Sequence, residues 1–307
     1  MSFLLRPIIA ENINLLTCPF CKFDKELGHS QNSLFCSQCN RVYPITSSGQ
    51  VNFLVDKNGN GESKKSKVKD RLYSMKQWIK NFLGSDFFML FHSLFTNTYP
   101  INIKSLINYS NTLISVSLNK KPLILNFGGG NFKYDNVINL DFDNLESVDL
   151  ICDVNQLPFK SSSVDLGFSR ALIEHLSIPA NFVEEIYRVI KPSGITFHIY
   201  PLIYPIHGSP LDYWRFTPFG VKLLFYRFDK IKDISASGPF SLLSLTLSEM
   251  FITIFSLGNR LISDSISIPI SILFSPIKWL DFFVMNHNRL FGNSINYISF
   301  FKKSSLL

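Results

Sequence analysis

The sequence lacks any long run of uncharged apolar residues. Its most apolar region, residues 239–285, is rich in Phe, Leu, Ile and Ser but is interrupted by Glu249, Arg260, Asp264 and Lys278. The uncharged stretches therefore fall short of the ~18 residues of a spanning helix, and no membrane span is expected. A leader pattern is also missing, because Glu11, Asn12 and Asn14 break the first apolar stretch. A cytoplasmic location is the default expectation, with peripheral attachment to the inner face of the membrane left open. Charge is scarce, 17% of residues against 46% hydrophobic. That is the balance of a globular chain and excludes general disorder. The formal net charge of +7 is not spread over the molecule. Residues 57–80 hold eight basic and two acidic side chains, whereas residues 1–56 hold four of each and residues 81–307 hold eighteen and seventeen. A uniformly basic surface for nucleic acid is not expected.

Cysteine is sparse but clustered. Cys18 and Cys21 form one C-x-x-C pair, and fourteen residues later Cys36 and Cys39 form a second. Two such knuckles close a tetrahedral thiolate shell around zinc, with two disulfides or free thiols as the alternatives. With all four positions filled by protein, the Zn(2+) is expected to be structural, and residues 15–55 are expected to depend on it for folding. Cys152 lies in an apolar run and reads as a core residue. The segment "NRVYPITSSGQVNFL" that follows resembles the zinc-ribbon module found in front of some methyltransferases. It is also similar to the amino-terminal zinc domain of bacterial ribosomal-RNA guanine methyltransferases.

From residue 121 the pattern alternates: "PLILNF", "NVINLDF", "VDLICDV", "VDLGFS" and "GITFHIY" read as short buried strands. Between the last two, Phe182, Val183, Ile186, Val189 and Ile190 recur at helical spacing. Pro179 suits the first turn of that helix, and Pro192 with Gly194 ends it. The pattern implies a parallel sheet with helical crossovers. Only ten residues separate Gly130 from Asp141, so the first crossover is reduced to a turn or so.

The blocks "NFGGG", "NLDF", "CDVNQLPFKSSSVDLGFSRALIEHL" and "IYRVIKPSG" resemble, in order, those of class I S-adenosylmethionine-dependent methyltransferases of the type 11-like group. The resemblance covers most of residues 121–236. It implies an α/β Rossmann-like sheet, mostly parallel with an antiparallel last strand, and S-adenosyl-L-methionine as cofactor. Gly128, Gly129 and Gly130 let the backbone turn sharply and approach a ligand closely. Asp141 is placed to accept hydrogen bonds from the ribose hydroxyls. The resemblance further implies that Asp153 and the Val154 backbone hold the adenine, with Leu157, Pro158 and Phe159 as walls, and that His175 lies near the cofactor or caps a helix. No Gly-Lys-Ser/Thr follows the glycines, which disfavours an ATPase.

The acceptor side is expected in "PLIYPIHGSPLDYWRFTP", beyond the carboxyl end of the fifth strand. His207 is the first choice for a base and Asp212 the second. The alternative is that "DYWRF" packs a lid in which Asp212 pairs with Arg215. This block resembles one in bacterial methyltransferases associated with surface-polysaccharide synthesis. Thr217 with Pro218 reads as a helix cap.

Val68, Leu72, Met75, Ile79 and Phe82 fall on one face of a basic helix that docks on the catalytic domain or on anionic lipid. Residues 239–290 read as a helical insertion before "NYISFFKKS", which alternates like an edge strand. The expected organisation is a small β zinc ribbon at 1–56, a linker with amphipathic helices at 57–120 and a methyltransferase domain at 121–307. The expected function is methyl transfer to a sugar or lipid-linked glycan. An RNA methyltransferase and a non-catalytic binding module are the alternatives.

Overall fold

A computed structural model describes residues 4–22, 25–55, 96–97, 101–114, 121–208, 211–284 and 293–304. The basic stretch 57–80 and its expected amphipathic helix lie outside the described residues. The body is a sheet of eight strands in the order β10 (Phe228–Ser235), β11 (Asn296–Lys303), β9 (Ile190–Pro201), β8 (Val164–Arg170), β5 (Ile124–Phe127), β6 (Ile138–Asp141), β7 (Leu150–Ile151) and β4 (Val51–Asn52). Its parallel centre is β5, β6, β7, β8 and β9. All four residues of β5 are buried, as continuous apolar runs require when both faces of a sheet are covered.

The connection from β5 to β6 carries no helix, as the short gap implies. The β8-to-β9 crossover is the helix Pro179–Val189, which starts on Pro179 and buries Phe182, Val183, Ile186 and Val189. On the opposite face, helix Ile103–Leu113 places Ile103 and Ile107 in a layer with Phe168, Phe197 and Phe300. Each such aromatic removes enough apolar surface from water to contribute ~1.5–3 kcal/mol.

Strand β11 (Asn296–Lys303) is antiparallel to β9, as the last strand was expected to be, but it does not lie at the edge. A further strand, β10 (Phe228–Ser235), pairs outside it, and Tyr297 to Phe301 are buried. The "FDKIKDIS" of β10 is too polar to announce a strand. Its residues are mostly exposed or half-buried, as an outer strand allows.

The cysteine-bearing module is an antiparallel sheet, β1 (Gly28–Ser30), β2 (Ser33–Phe35) and β3 (Val42–Pro44). It then extends the main sheet: β4 (Val51–Asn52) pairs in parallel with β7. Arg6 adds a clamp, donating to Asp149 Oδ1 at 2.8 Å and to the Val148 carbonyl at 2.6 Å. Lys22 pairs with Glu185 of the crossover helix at 2.5 Å, and Leu16, Tyr43, Leu157 and Phe159 share one core.

Between β10 and β11 lies a helical hairpin. Its first helix is Pro239–Ser256, its second is Arg260–Phe274, and a 3₁₀ segment Ser275–Phe283 completes it. These elements correct the expectation drawn from the interrupted sequence. Pro239–Ser256 (18 residues) and Arg260–Phe283 (24 residues) are long and apolar enough to cross a membrane. Charges break the sequence run but not the helices, and Lys278 and Asp281 are fully buried in the interior. Asp281 accepts from the backbone N–H of Gly238, Phe240 and Ser241 and from the Ser241 hydroxyl, so it caps the first helix.

One buried group makes stability depend on pH. His198 on β9 is fully buried between Ser169 Oγ and Thr196 Oγ1, each at 2.8 Å, and burial lowers its pKa to about 3. The unfolded chain takes up this proton near pH ~6.5 and the folded chain does not. Stability therefore falls as pH drops from about 6.5 toward 3, by up to about 1.4 kcal/mol per unit from this group. The difference in stability between wild type and His198→Gln, measured by denaturant melts from pH 7 to 4, should show this slope, because other buried groups contribute equally to both proteins.

Candidate active site

The carboxyl ends of β5, β6 and β8 converge on the glycine loop. Gly128 and Gly130 have φ of +65° and +52°, which side chains tolerate poorly. A Cβ on Gly128 would come within 2.8 Å of Leu172, whereas one on Gly130 would meet nothing within 4 Å. The backbone of Gly130 thus faces open space, ready for close approach by a ligand. Gly129 donates to the Leu140 carbonyl at 2.8 Å and ties the loop to β6.

Asp141, half-buried at the end of β6, organises this loop. Its Oδ2 accepts from Gly130 N–H at 2.7 Å and its Oδ1 from Asp143 N–H at 3.0 Å. Each oxygen keeps a further lone pair for a diol. Asp143 follows it, half-buried, and partial burial with the adjacent Asp141 charge raises its carboxyl. Asp153 accepts at Oδ1 from the Asn155 backbone and side chain. Its Oδ2 makes no hydrogen bond among the described residues. Val154 beside it is buried. Leu157 and Phe159 have no exposed surface and belong to the core shared with the cysteine module, so they do not wall an open pocket.

The donor set fits an S-adenosylmethionine nucleoside. There is an open glycine backbone, a carboxylate with free lone pairs at the second strand, and a second carboxylate one strand further. Arg170, at the end of β8, lies over the ring of Phe132, which follows the glycine loop, at 4.6 Å and supplies a cation beside it. Sequence reading missed Arg170, although a basic residue ending the fourth strand was a usable signal.

The 3₁₀ turn Ile173–His175 directly follows Leu172, which packs against the glycine loop. His175 Nδ1 donates to the Leu211 carbonyl at 2.8 Å, and its ring meets that of His207 edge-on at 5.0 Å. His207 Nδ1 lies 3.1 Å from the Pro205 carbonyl and 3.3 Å from Asp212 Oδ2. The turn and the acceptor loop are also tied by the Glu174 carbonyl, which accepts from Tyr213 and Trp214 N–H. Asp212 is engaged on both oxygens by Arg215, at 2.5 and 2.6 Å, and this pairing holds its carboxyl well below the usual range. The sequence-predicted His175, His207 and Asp212 are therefore neighbours. Glu174 joins them and was not foreseen. It is fully buried, neither carboxylate oxygen has a partner in another of the described residues, and burial raises its pKa to about 7.

A cleft of about 820 Å³ opens beside this cluster, lined by Tyr204, Asp212, Trp214 and Arg215 on one side and by Leu245, Glu249 and Met250 of the hairpin on the other.

In the cysteine module the four sulfurs lie within 4.8 Å of one another. Lys22 and Asn40 take φ of 53° and 56° after the two C-x-x-C pairs, so both knuckles turn alike. Burial opposes ionisation of Cys18, but the Cys21 amide and the Tyr43 hydroxyl at 2.9 Å outweigh it and bring the thiol to about 7. The donor set suits zinc.

Residues 132–198 match the methyltransferase-domain family. An uncharacterized chloroplastic methyltransferase of Arabidopsis thaliana is 33% identical over 101 residues, which are 31% of this chain. The chain spans only 28% of that relative's length. Among solved structures, an S-adenosylmethionine-dependent methyltransferase from Archaeoglobus fulgidus aligns with a TM-score of 0.40 at 14% identity, over 76% of this chain and 100% of that one. Phosphoethanolamine N-methyltransferase 2 of Haemonchus contortus, in complex with S-adenosyl-L-methionine, aligns at 0.40 and 14%, over 75% and 60%. The strand order and the glycine loop with its two following carboxylates agree with the methyltransferase-domain family that residues 132–198 match.

Proposed function

We propose that this protein transfers a methyl group from S-adenosylmethionine to a sugar or lipid-linked glycan acceptor, and that it works at a lipid surface. The donor half of this reading is carried by the open Gly130 backbone facing Asp141. When bound, the cofactor supplies an electrophilic methyl on sulfur. The chain's own work is positional: Asp141 holds the ribose, Asp153 the adenine edge, and Arg170 the methionine carboxylate. Holding donor and acceptor in line is the main source of acceleration for such a displacement. The Glu174, His175 and His207 cluster adjoins the glycine loop through Leu172, which favours the acceptor oxygen being activated there.

The hairpin supports the lipid half. In a water-facing helix the buried stripe is apolar, but here four of the six residues that Pro239–Ser256 buries are serines, Ser241, Ser244, Ser248 and Ser256, beside Leu245 and Ile252. Apolar residues point outward instead: Phe255 is 60% exposed, Leu261 75%, Phe282 79% and Phe283 81%. Helix Arg260–Phe274 has no buried residue and tolerates Pro269 within it. Serine interiors with apolar exteriors are the packing of helices solvated by lipid. The acceptor cleft shares Leu245 and Met250 with this hairpin, so an acceptor anchored in the bilayer reaches it without leaving the surface.

Sedimentation with anionic phospholipid vesicles tests this half. The protein should bind, and a triple variant with Phe255, Phe282 and Phe283 changed to Ser should bind at least about ten-fold more weakly with an unchanged melting temperature. Equal sedimentation of both proteins, or self-association without vesicle binding, would overturn it. Incubation with methyl-labelled cofactor and a membrane lipid extract then tests the acceptor, with label expected in the lipid-linked fraction.

A further inference from the structure

We infer that Glu174, His175 and His207 form a second metal site, for one first-row divalent cation, distinct from the four cysteines. The chemistry of activation it supplies rests on the methyl-transfer reading above, but the site itself does not. One ligand atom from each of the three side chains lies within 4.8 Å of the others. Two imidazoles and one carboxylate are a recurrent donor set for such ions, with positions left open for an outside ligand.

Three observations point to a ligand rather than to packing. The first is Glu174, which has 0% exposure and two carboxylate oxygens without a partner in another of the described residues. A buried carboxylate left in this state costs several kcal/mol, and a cation at the cluster removes that cost. The second is the tautomer of both histidines. His175 Nδ1 faces the Leu211 carbonyl and His207 Nδ1 faces the Pro205 carbonyl. A carbonyl only accepts, so each Nδ1 carries the hydrogen and each Nε2 keeps a free lone pair. The third is Asp212, which stands 3.3 Å from His207 Nδ1 and is itself fixed by Arg215 at 2.5 Å. A carboxylate behind a histidine is the arrangement that orients metal-binding imidazoles and raises their basicity.

Both imidazoles are only partly buried, so an ion has a path from solvent, while Glu174 closes the inner side. An acceptor hydroxyl taking an open position on the ion is acidified and loses its proton to water. Its oxygen then forms the new bond to the methyl carbon as the carbon–sulfur bond breaks, with that electron pair remaining on sulfur.

The test uses the full chain with its cysteines loaded with zinc, titrated with Co²⁺ in the absence of cofactor and acceptor. The expected result is one further equivalent bound, with weak d–d absorption and no sulfur-to-metal charge transfer. Glu174→Gln keeps size and shape and should abolish this binding while the melting temperature holds or rises. Asp212→Asn, which adjoins His207 without being a ligand itself, should weaken it about 10- to 100-fold. No d–d absorption at millimolar Co²⁺, or an affinity unchanged in Glu174→Gln, would overturn the assignment. Since the readout needs neither methyl donor nor acceptor, its failure leaves the methyl-transfer reading standing, and failure of that reading leaves the metal site standing.

Discussion

Replacing Asp141 by Ala is expected to weaken binding of S-adenosylhomocysteine by about 100-fold or more. Two effects add. A charged carboxylate that accepts hydrogen bonds from a ribose contributes roughly 1.5–3 kcal/mol per bond. The same carboxylate holds the Gly130 and Asp143 amides, so its removal releases the loop that must meet the nucleoside. Asp141→Asn removes less, because its one amide oxygen still accepts from Gly130 while the charge toward the diol and the bond from Asp143 are gone. Its loss should be intermediate. Calorimetric titration measures both, with far-UV circular dichroism confirming the fold. Equal affinity in wild type and Asp141→Ala would remove Asp141 from the site.

The second large effect is expected from zinc. The Cys18, Cys21, Cys36 and Cys39 cluster sits in a module whose three strands have three residues each. A structural zinc contributes on the order of 10 kcal/mol to such a module. Its loss does not stop at the ribbon. Strand β4 leaves the edge of the main sheet, and Asp149, whose side chain is 1% exposed, loses the Arg6 guanidinium. Breaking a buried ion pair from one side costs about 3–5 kcal/mol. Chelation, or Cys36→Ser, should therefore lower the melting temperature of the whole chain by about 10 °C or more. Elemental analysis should find at least one zinc per chain before chelation. An unchanged melt after chelation, with disulfides found by mass spectrometry, would contradict the zinc assignment.

Much of the donor side was legible in the sequence, because its chemistry lives in backbone turns and strand ends that leave marks in residue type. Glycine at 128 and 130 reports positive φ, and an acid ends the second strand. The helix from Pro179 was equally clear, since its apolar spacing and its first proline agree. The misread elements share a cause: their roles are fixed by neighbours distant in sequence. Strand β11 read as an edge because its covering partner β10 is polar. The hairpin read as interrupted because nothing local shows that Lys278 and Asp281 turn inward. The family resemblance implies a pocket role for Leu157 and Phe159, whereas the docked cysteine module claims them for the core. Glu174 was hidden for the same reason, since a carboxylate in "IEHL" is ordinary until its burial is known.

The account depends most directly on the glycine loop accepting a sulfonium nucleoside. Calorimetric titration of the zinc-loaded chain with S-adenosylhomocysteine measures this. One equivalent bound in the micromolar range is predicted, with the melting temperature rising as ligand is added. No heat and no thermal shift from correctly folded protein at millimolar ligand would contradict it.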